Sequence, residues 1–216
     1  MIFRFIKEQR YFFIPYFLFI AVGLALSLNE DKIDLHLYLI SINSEVADFI
    51  FFWLTKVAEG WFGAPLLIAL LFYNYRSFLF VGLTYLFSAA ITQLLKNFVF
   101  QDHWRPLHYL YNHPAFRRVE GVEISEYHSF PSGHSTSAFA LFFCLSLLAK
   151  NHYVKVFTAL CAIAVAYSRV YLSQHFLQDI IGGSFVGISV GFIFYYFMYE
   201  RKILFKSEKL NKRLKF

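Results

Sequence analysis

Residues 180–199 read IIGGSFVGISVGFIFYYFMY, twenty positions without one charged side chain. As a helix this run rises about 30 Å, the depth of the hydrocarbon core of a bilayer. A helix that is apolar all round is buried either in a large protein or in lipid. A chain of 216 residues is too small for the first option, so Ile180–Tyr199 is expected to span a membrane. Within it Gly183, Gly187 and Gly191 recur every four residues. That small-residue face lets a second helix approach closely. It is a packing face and not a phosphate loop, because its glycines lie at bilayer depth.

The rest of the chain agrees with this reading. Apolar residues make up 58% of it and charged residues 16%, with a mean hydropathy of +0.51, where a soluble domain is nearer a quarter charged. The 29 Phe and 15 Tyr exceed what a soluble core of this size buries. Further uncharged or nearly uncharged runs predict spans at Tyr11–Leu28, Phe62–Tyr73, Phe78–Leu95, Ser132–Ala149 and Val154–Leu172. Between the first two, Val46, Phe49, Ile50, Trp53, Leu54 and Val57 recur at intervals of three and four, the pattern of an amphipathic helix lying in the membrane interface. The expected fold is therefore all-α: a polytopic membrane protein with six transmembrane helices, an interfacial helix after the first, and one domain over residues 1–216. The first apolar run, about 18 residues after Arg4, Lys7 and Arg10, is longer than the core of a cleaved signal and reads as an anchor. Cys144 and Cys161 sit in apolar runs without a C-x-x-C spacing and read as small hydrophobes.

Charge sets the predicted orientation. With both termini on one side, together with the turns at 74–77 and 150–155, that side holds 13 Lys/Arg and 3 Asp/Glu, and the other holds 7 and 11. Basic residues collect on the cytoplasmic side, so both termini are expected there. The segment 201–216 carries seven of the basic residues and reads as a cytoplasmic tail drawn to anionic headgroups. That placement, and not nucleic-acid binding, accounts for the pI near 9.2.

The alternating helices then bring polar residues to the opposite face. Lys96 closes the third span, Arg105-Pro106 follows it, and Phe130-Pro131-Ser132-Gly133-His134-Ser135 opens the fourth. Ser168-Arg169 closes the fifth span, and His175 and Asp179 open the sixth. Three cations beside a helix amino end suit a dianion. Arginine grips phosphate oxygens bidentately and lysine supplies a compact charge. A histidine held by a carboxylate four residues on is a nucleophile for phosphorus, and a second histidine can protonate the leaving oxygen. These residue types together suggest phosphoryl transfer through a phosphohistidine.

The arrangement resembles the type 2 phosphatidic acid phosphatase family, integral membrane phosphatases related to vanadium haloperoxidases. The family's second motif is matched by Pro131-Ser132-Gly133-His134. The third is matched by Ser168-Arg169, five residues, His175, three residues and Asp179. The first motif departs, with eight residues instead of six between Lys96 and Arg105-Pro106. The resemblance covers roughly residues 96–179. It implies His175 as nucleophile, Asp179 as its orienting partner, and His134 as general acid and then base. It also implies Lys96, Arg105, Ser132, Gly133 and Arg169 as the phosphate-binding set. Arg117 and Arg118 are candidates for a second phosphate, with a solvated basic pair as the plainer reading. His36 and His152 read as wetted interfacial aromatics. The outer-loop histidines His103, His108, His113 and His128 have no tight ligand spacing, so neither a metal nor a cofactor is expected.

A phosphate at that depth belongs to a lipid whose chain stays in the bilayer. Undecaprenyl diphosphate, lipid A, phosphatidylglycerol phosphate and phosphatidic acid all fit the motifs, and a site facing the periplasm favours the first two. The partners expected are the lipid substrate and the bilayer, with no nucleic acid. The alternatives are a vanadate-dependent haloperoxidase-like protein and a non-catalytic membrane protein using the same anion site.

Overall fold

A computed structural model describes residues 2–214, and among them it consists of helices and loops without a strand. The order is α1 (Ile2–Glu8), α2 (Arg10–Asn29), α3 (Lys32–Ser41), α4 (Glu45–Lys56), α5 (Gly60–Tyr73), α6 (Tyr75–Leu94), α7 (Pro106–Leu110), α8 (Gly133–Leu148), α9 (His152–Tyr171) and α10 (Leu177–Tyr195). Helices α6 and α10 each run on into a π-helical turn, Leu95–Val99 and Tyr196–Glu200.

Four stretches are long and apolar enough to cross a bilayer: Arg10–Asn29, Tyr75–Val99, His152–Tyr171 and Leu177–Glu200. Helices α3 and α4, bent by 115° at their junction, count together as at most a fifth. The expected second and fourth spans are present as shorter helices, with apolar stretches Phe62–Tyr73 and Gly133–Leu148. Caps mark their boundaries. Asn74 ends α5 and also opens α6, its side chain accepting from the Ser77 N–H at 2.7 Å. Ser132 caps α8, and Asn151 caps α9 through the Tyr153 N–H at 2.8 Å. Helices α1 and α3 were not anticipated from hydropathy. The α3 start is nonetheless encoded, since Asp31 accepts from the Ile33 N–H at 2.7 Å and Asp34 sits in the first turn.

Helix α8 is the centre of the bundle, flanked by α6, α9 and α10. Phe139, Phe143 and Cys144 on it are wholly buried, packed with Phe12, Ala162, Val165 and Ile180 from its neighbours and with Phe80. The outer faces of α2 and α6 keep Phe17, Leu18, Leu24, Leu86 and Phe87 exposed, as lipid-facing surfaces do. His36, expected to be wetted, is instead buried with its ring edge-on to Phe176.

The glycine face of α10 packs on α8, as its four-residue spacing predicts. A methyl group at Gly187 would lie 2.5 Å from the Thr136 carbonyl oxygen and 2.8 Å from the Ala140 nitrogen. Both are backbone atoms, so only separation of the helices would make room. Gly187→Ala is therefore expected to destabilise the detergent-solubilised protein by about 1–3 kcal/mol, read as a lower Tm. Gly82→Ala is the control, since its methyl would meet only the Leu67 side chain at 3.7 Å and should leave Tm unchanged or raised.

The tail folds back on the α5–α6 turn. The Tyr75 N–H donates to the Lys212 carbonyl at 3.0 Å, and Arg76 Nε donates to Asn211 Oδ1 at 3.1 Å. Tail and turn thus share one end of the bundle, and α6 and α10 place Lys96 and Asp179 at the other.

Candidate active site

At that other end, the chain makes a tight turn between α9 and α10. The Gln174 and His175 N–H groups both donate to the Arg169 carbonyl, at 2.9 and 3.1 Å, and Ser173 takes a positive φ of 55°. This turn sets His175 just before the α10 amino end. His175 Nδ1 lies 3.3 Å from Asp179 Oδ2, one turn on. The same carboxylate oxygen caps the helix by accepting the Phe176 N–H at 2.9 Å. Ser129 Oγ donates to it as well, at 2.5 Å, and lies 3.4 Å from His175 Nδ1. Asp179 is therefore held from three directions. With Nδ1 engaged, Nε2 is the nitrogen left to act as a nucleophile.

His175 is buried, and burial first holds its pKa well below the ordinary histidine value. The charges of Arg105, Lys96 and Arg169, followed by His134, act in the same direction. A lowered pKa keeps the ring neutral at pH 7, with its lone pair available.

The three cations arrive from separate elements. Arg169 ends α9 and is buried, its NH1 donating to Thr55 Oγ1 of α4 at 2.6 Å while Nε has no partner in the protein. Arg105 precedes α7 and is fixed by the returning loop. Its N–H donates to the Glu126 carbonyl and its Nε to the Tyr127 carbonyl, both at 2.9 Å. Lys96 sits in the π-helical turn, buried, and donates to the His128 carbonyl at 2.9 Å. A π turn takes more residues per turn than an α turn. It falls inside the longer first motif and keeps Lys96 at the bundle end beside the loop that carries Ser129.

Helix α8 starts at this cluster. The Ser132 N–H donates to the Asp179 carbonyl at 2.9 Å, and Ser135 Oγ donates to the Ile180 carbonyl at 2.6 Å. These bonds lock the α8 and α10 amino ends together. Ser132 is buried and its hydroxyl accepts the Ser135 N–H at 3.4 Å, so the side chain caps the helix while Gly133 opens it. His134 Nε2 is buried without a hydrogen bond and lies 3.8 Å from Glu59 Oε1. His134 and Arg169 line a cavity of about 440 Å³ whose other walls include Thr55, Lys56, Glu59 and Glu123.

Arg117 and Arg118 do not join this wall. Arg117 pairs with Asp48, which also accepts from the Tyr171 hydroxyl at 2.6 Å. Arg118 is exposed over the Tyr111 and Phe116 rings. His108 stacks on Trp104 and His103 packs against Phe130. Among the described residues, no three His, Cys, Asp or Glu side chains stand close enough to hold a metal ion.

The profile of the PAP2 superfamily matches residues 77–203, more than half the chain. The chain belongs to the PAP2 superfamily. A lipid A 4'-phosphatase of Porphyromonas gingivalis is 32% identical over 165 residues, covering 70% of this chain and 66% of that protein. The undecaprenyl-diphosphatase BcrC of Bacillus subtilis is 27% identical over 73% of this chain and 78% of its own length. The match to a lipid A 4'-phosphatase of Bacteroides thetaiotaomicron takes in only 35% of that protein, so the chain spans two thirds or less of these first two lipid A relatives. Among solved structures, the crystal structure of Aquifex aeolicus LpxE aligns with a TM-score of 0.62 and 26% identity, over 76% of this chain and 93% of that one. A phosphatidylglycerolphosphate phosphatase from Bacillus subtilis aligns with a TM-score of 0.63 at 22% identity, over 91% and 98%, a likeness of fold.

As a PAP2 protein the chain is a multi-pass membrane protein, and its PAP2 match contains every motif residue from Lys96 to Asp179. Several residues that touch this candidate site were not found by sequence reasoning, Glu123 among them. Ser129 lies two residues before Pro131, close enough to have been suspected. Thr55, Lys56 and Glu59 lie before the matched region, and the amphipathic pattern of α4 identified only its apolar face.

Proposed function

We propose that the protein is a metal-independent membrane lipid phosphatase acting through a phosphohistidine. His175 Nε2 attacks phosphorus in line, and the bond from phosphorus to the lipid oxygen breaks. His134 gives its proton to that departing oxygen. Water then attacks the phosphohistidine, His134 takes the proton, the N–P bond breaks and inorganic phosphate leaves. Lys96, Arg105 and Arg169, with the N–H groups opening α8 at Ser132 and Gly133, bind the transferred phosphoryl group. The observation that carries this reading is the buried His175–Asp179 pair at 3.3 Å, with three cations gathered round it.

In this reading the chain crosses the membrane six times, α5 and α8 serving as short spans and α4 lying in the interface with Val46, Phe49, Ile50 and Trp53 toward lipid. Both termini face the cytoplasm and the site opens to the periplasm, as the charge distribution supports. The substrates are lipid phosphates of the kind named for its lipid A relatives. Purified protein in detergent is expected to release phosphate from such lipids equally with and without EDTA. Loss of release in EDTA, restored by a divalent metal, would overturn the metal-independent mechanism.

A further inference from the structure

The corner between α4 and α5 stands outside the PAP2 match, yet it forms a wall of the site. Lys56 Nζ lies 3.3 Å from Glu59 Oε1, and that same oxygen is 3.8 Å from His134 Nε2. The gap to His134 is longer than a hydrogen bond, so Nε2 is not committed to the carboxylate. A general acid must stand within hydrogen-bond reach of the oxygen it protonates. On the phosphatase reading, on which this inference rests, His134 Nε2 therefore marks where the leaving oxygen sits, and Glu59 marks what lies beside it. Glu123 lines the same cavity, while Arg169, bonded to Thr55, belongs to the transferred phosphate. Beyond the phosphoryl group, then, the charged lining consists of two carboxylates and one ammonium.

We propose that Lys56 and Glu59 form the leaving-group subsite and select lipid phosphates whose leaving group is uncharged, against diphosphates. In a monoester the departing group is a neutral alcohol. It meets the Lys56–Glu59 pair without repulsion and takes its proton from His134. In a diphosphate the departing group is itself a phosphate carrying nearly two negative charges, and it must leave past Glu59 and Glu123. Lys56 offsets only part of that repulsion. Its side chain is 46% exposed and that of Glu59 28%, so solvent screens both, and the effect of either charge is modest and not all-or-none.

The test compares farnesyl phosphate with farnesyl diphosphate, which share a chain and differ in the charge of the leaving group. Full-length wild type, Glu59→Gln and Lys56→Met are assayed in detergent for release of phosphate, and the readout is the ratio of kcat/KM for diphosphate to that for monophosphate. Glu59→Gln keeps the shape and removes the charge, so it should raise the ratio by about tenfold. Lys56→Met should lower it, by a few-fold to about tenfold. Opposite movements cannot come from general loss of folding, which lowers both rates together. A ratio unchanged in both variants would overturn the subsite assignment and leave the phosphatase reading standing. Monodisperse wild type that releases phosphate from neither substrate would overturn that reading and this inference with it.

Discussion

His175→Ala is expected to lower phosphate release from a lipid substrate by about ten-thousandfold or more and to abolish any acid-labile phosphoenzyme. The nucleophile is the one group whose removal deletes a bond-forming partner and not merely a stabilising contact. Its Nδ1 is engaged by Asp179 at 3.3 Å, which fixes the tautomer and points Nε2 at the phosphoryl group. Ser129 and the Phe176 N–H hold Asp179 in turn, so the imidazole has little freedom to swing away. Burial and the surrounding cations keep the ring neutral, and neutral imidazole is the attacking form. Alanine leaves the cations and the α8 amino end intact, so vanadate should still bind the variant and raise its Tm. Retained vanadate binding with lost turnover separates a missing nucleophile from a collapsed site. Turnover within tenfold of wild type would refute the phosphohistidine.

His134→Ala is expected to reduce turnover of a lipid monoester by about a hundred- to ten-thousandfold, the usual range for a general acid. The same variant should lose much less on an aryl phosphate with a good leaving group. An alkoxide departing from a lipid is strongly basic and needs a proton in the transition state, whereas a nitrophenolate does not. The position of His134 supports this split. It is the first full side chain of α8, its Nε2 has no hydrogen-bond partner in the protein, and it opens on the cavity shared with Arg169. Equal losses on both substrates would make His134 a phosphate ligand and remove its role as acid.

Much of this site was legible in the chain because its strongest signals are local. The four-residue interval from His175 to Asp179 suggests that the two meet, and they do, although His175 stands just before α10 and Asp179 in its first turn. Ser132, Gly133 and His134 announce a helix start by residue type alone. The first motif was harder, because the longer interval between Lys96 and Arg105 left the depth of Lys96 open. The π-helical turn Leu95–Val99 is the local answer, and π hydrogen bonding has no hydropathy signature. The bounds of α8 and α5 lie within a residue or two of the apolar runs that predict them, Ser132–Ala149 and Phe62–Tyr73. The helices end where the next ones begin, at Asn74, whose side chain takes the Ser77 N–H of α6, and just before Asn151, whose side chain takes the Tyr153 N–H of α9.

By itself the sequence determined that this protein lives in a bilayer, that its helices alternate direction, and which residues form the motif set. Those properties follow from hydropathy and short spacings, which the chain carries wherever it folds. Only the tertiary structure decided which side chains complete the site and which stay out. Thr55 reaches Arg169 across 114 residues, Ser129 reaches Asp179 across 50, and Asp48 draws Arg117 away across 69. Contacts at such separations depend on how α4, the outer loop and α10 pack against one another. The glycine spacing announces the close approach of α10 to another helix, but the cross-helix bonds of Ser132 and Ser135 that lock it to α8 have no periodicity to report them.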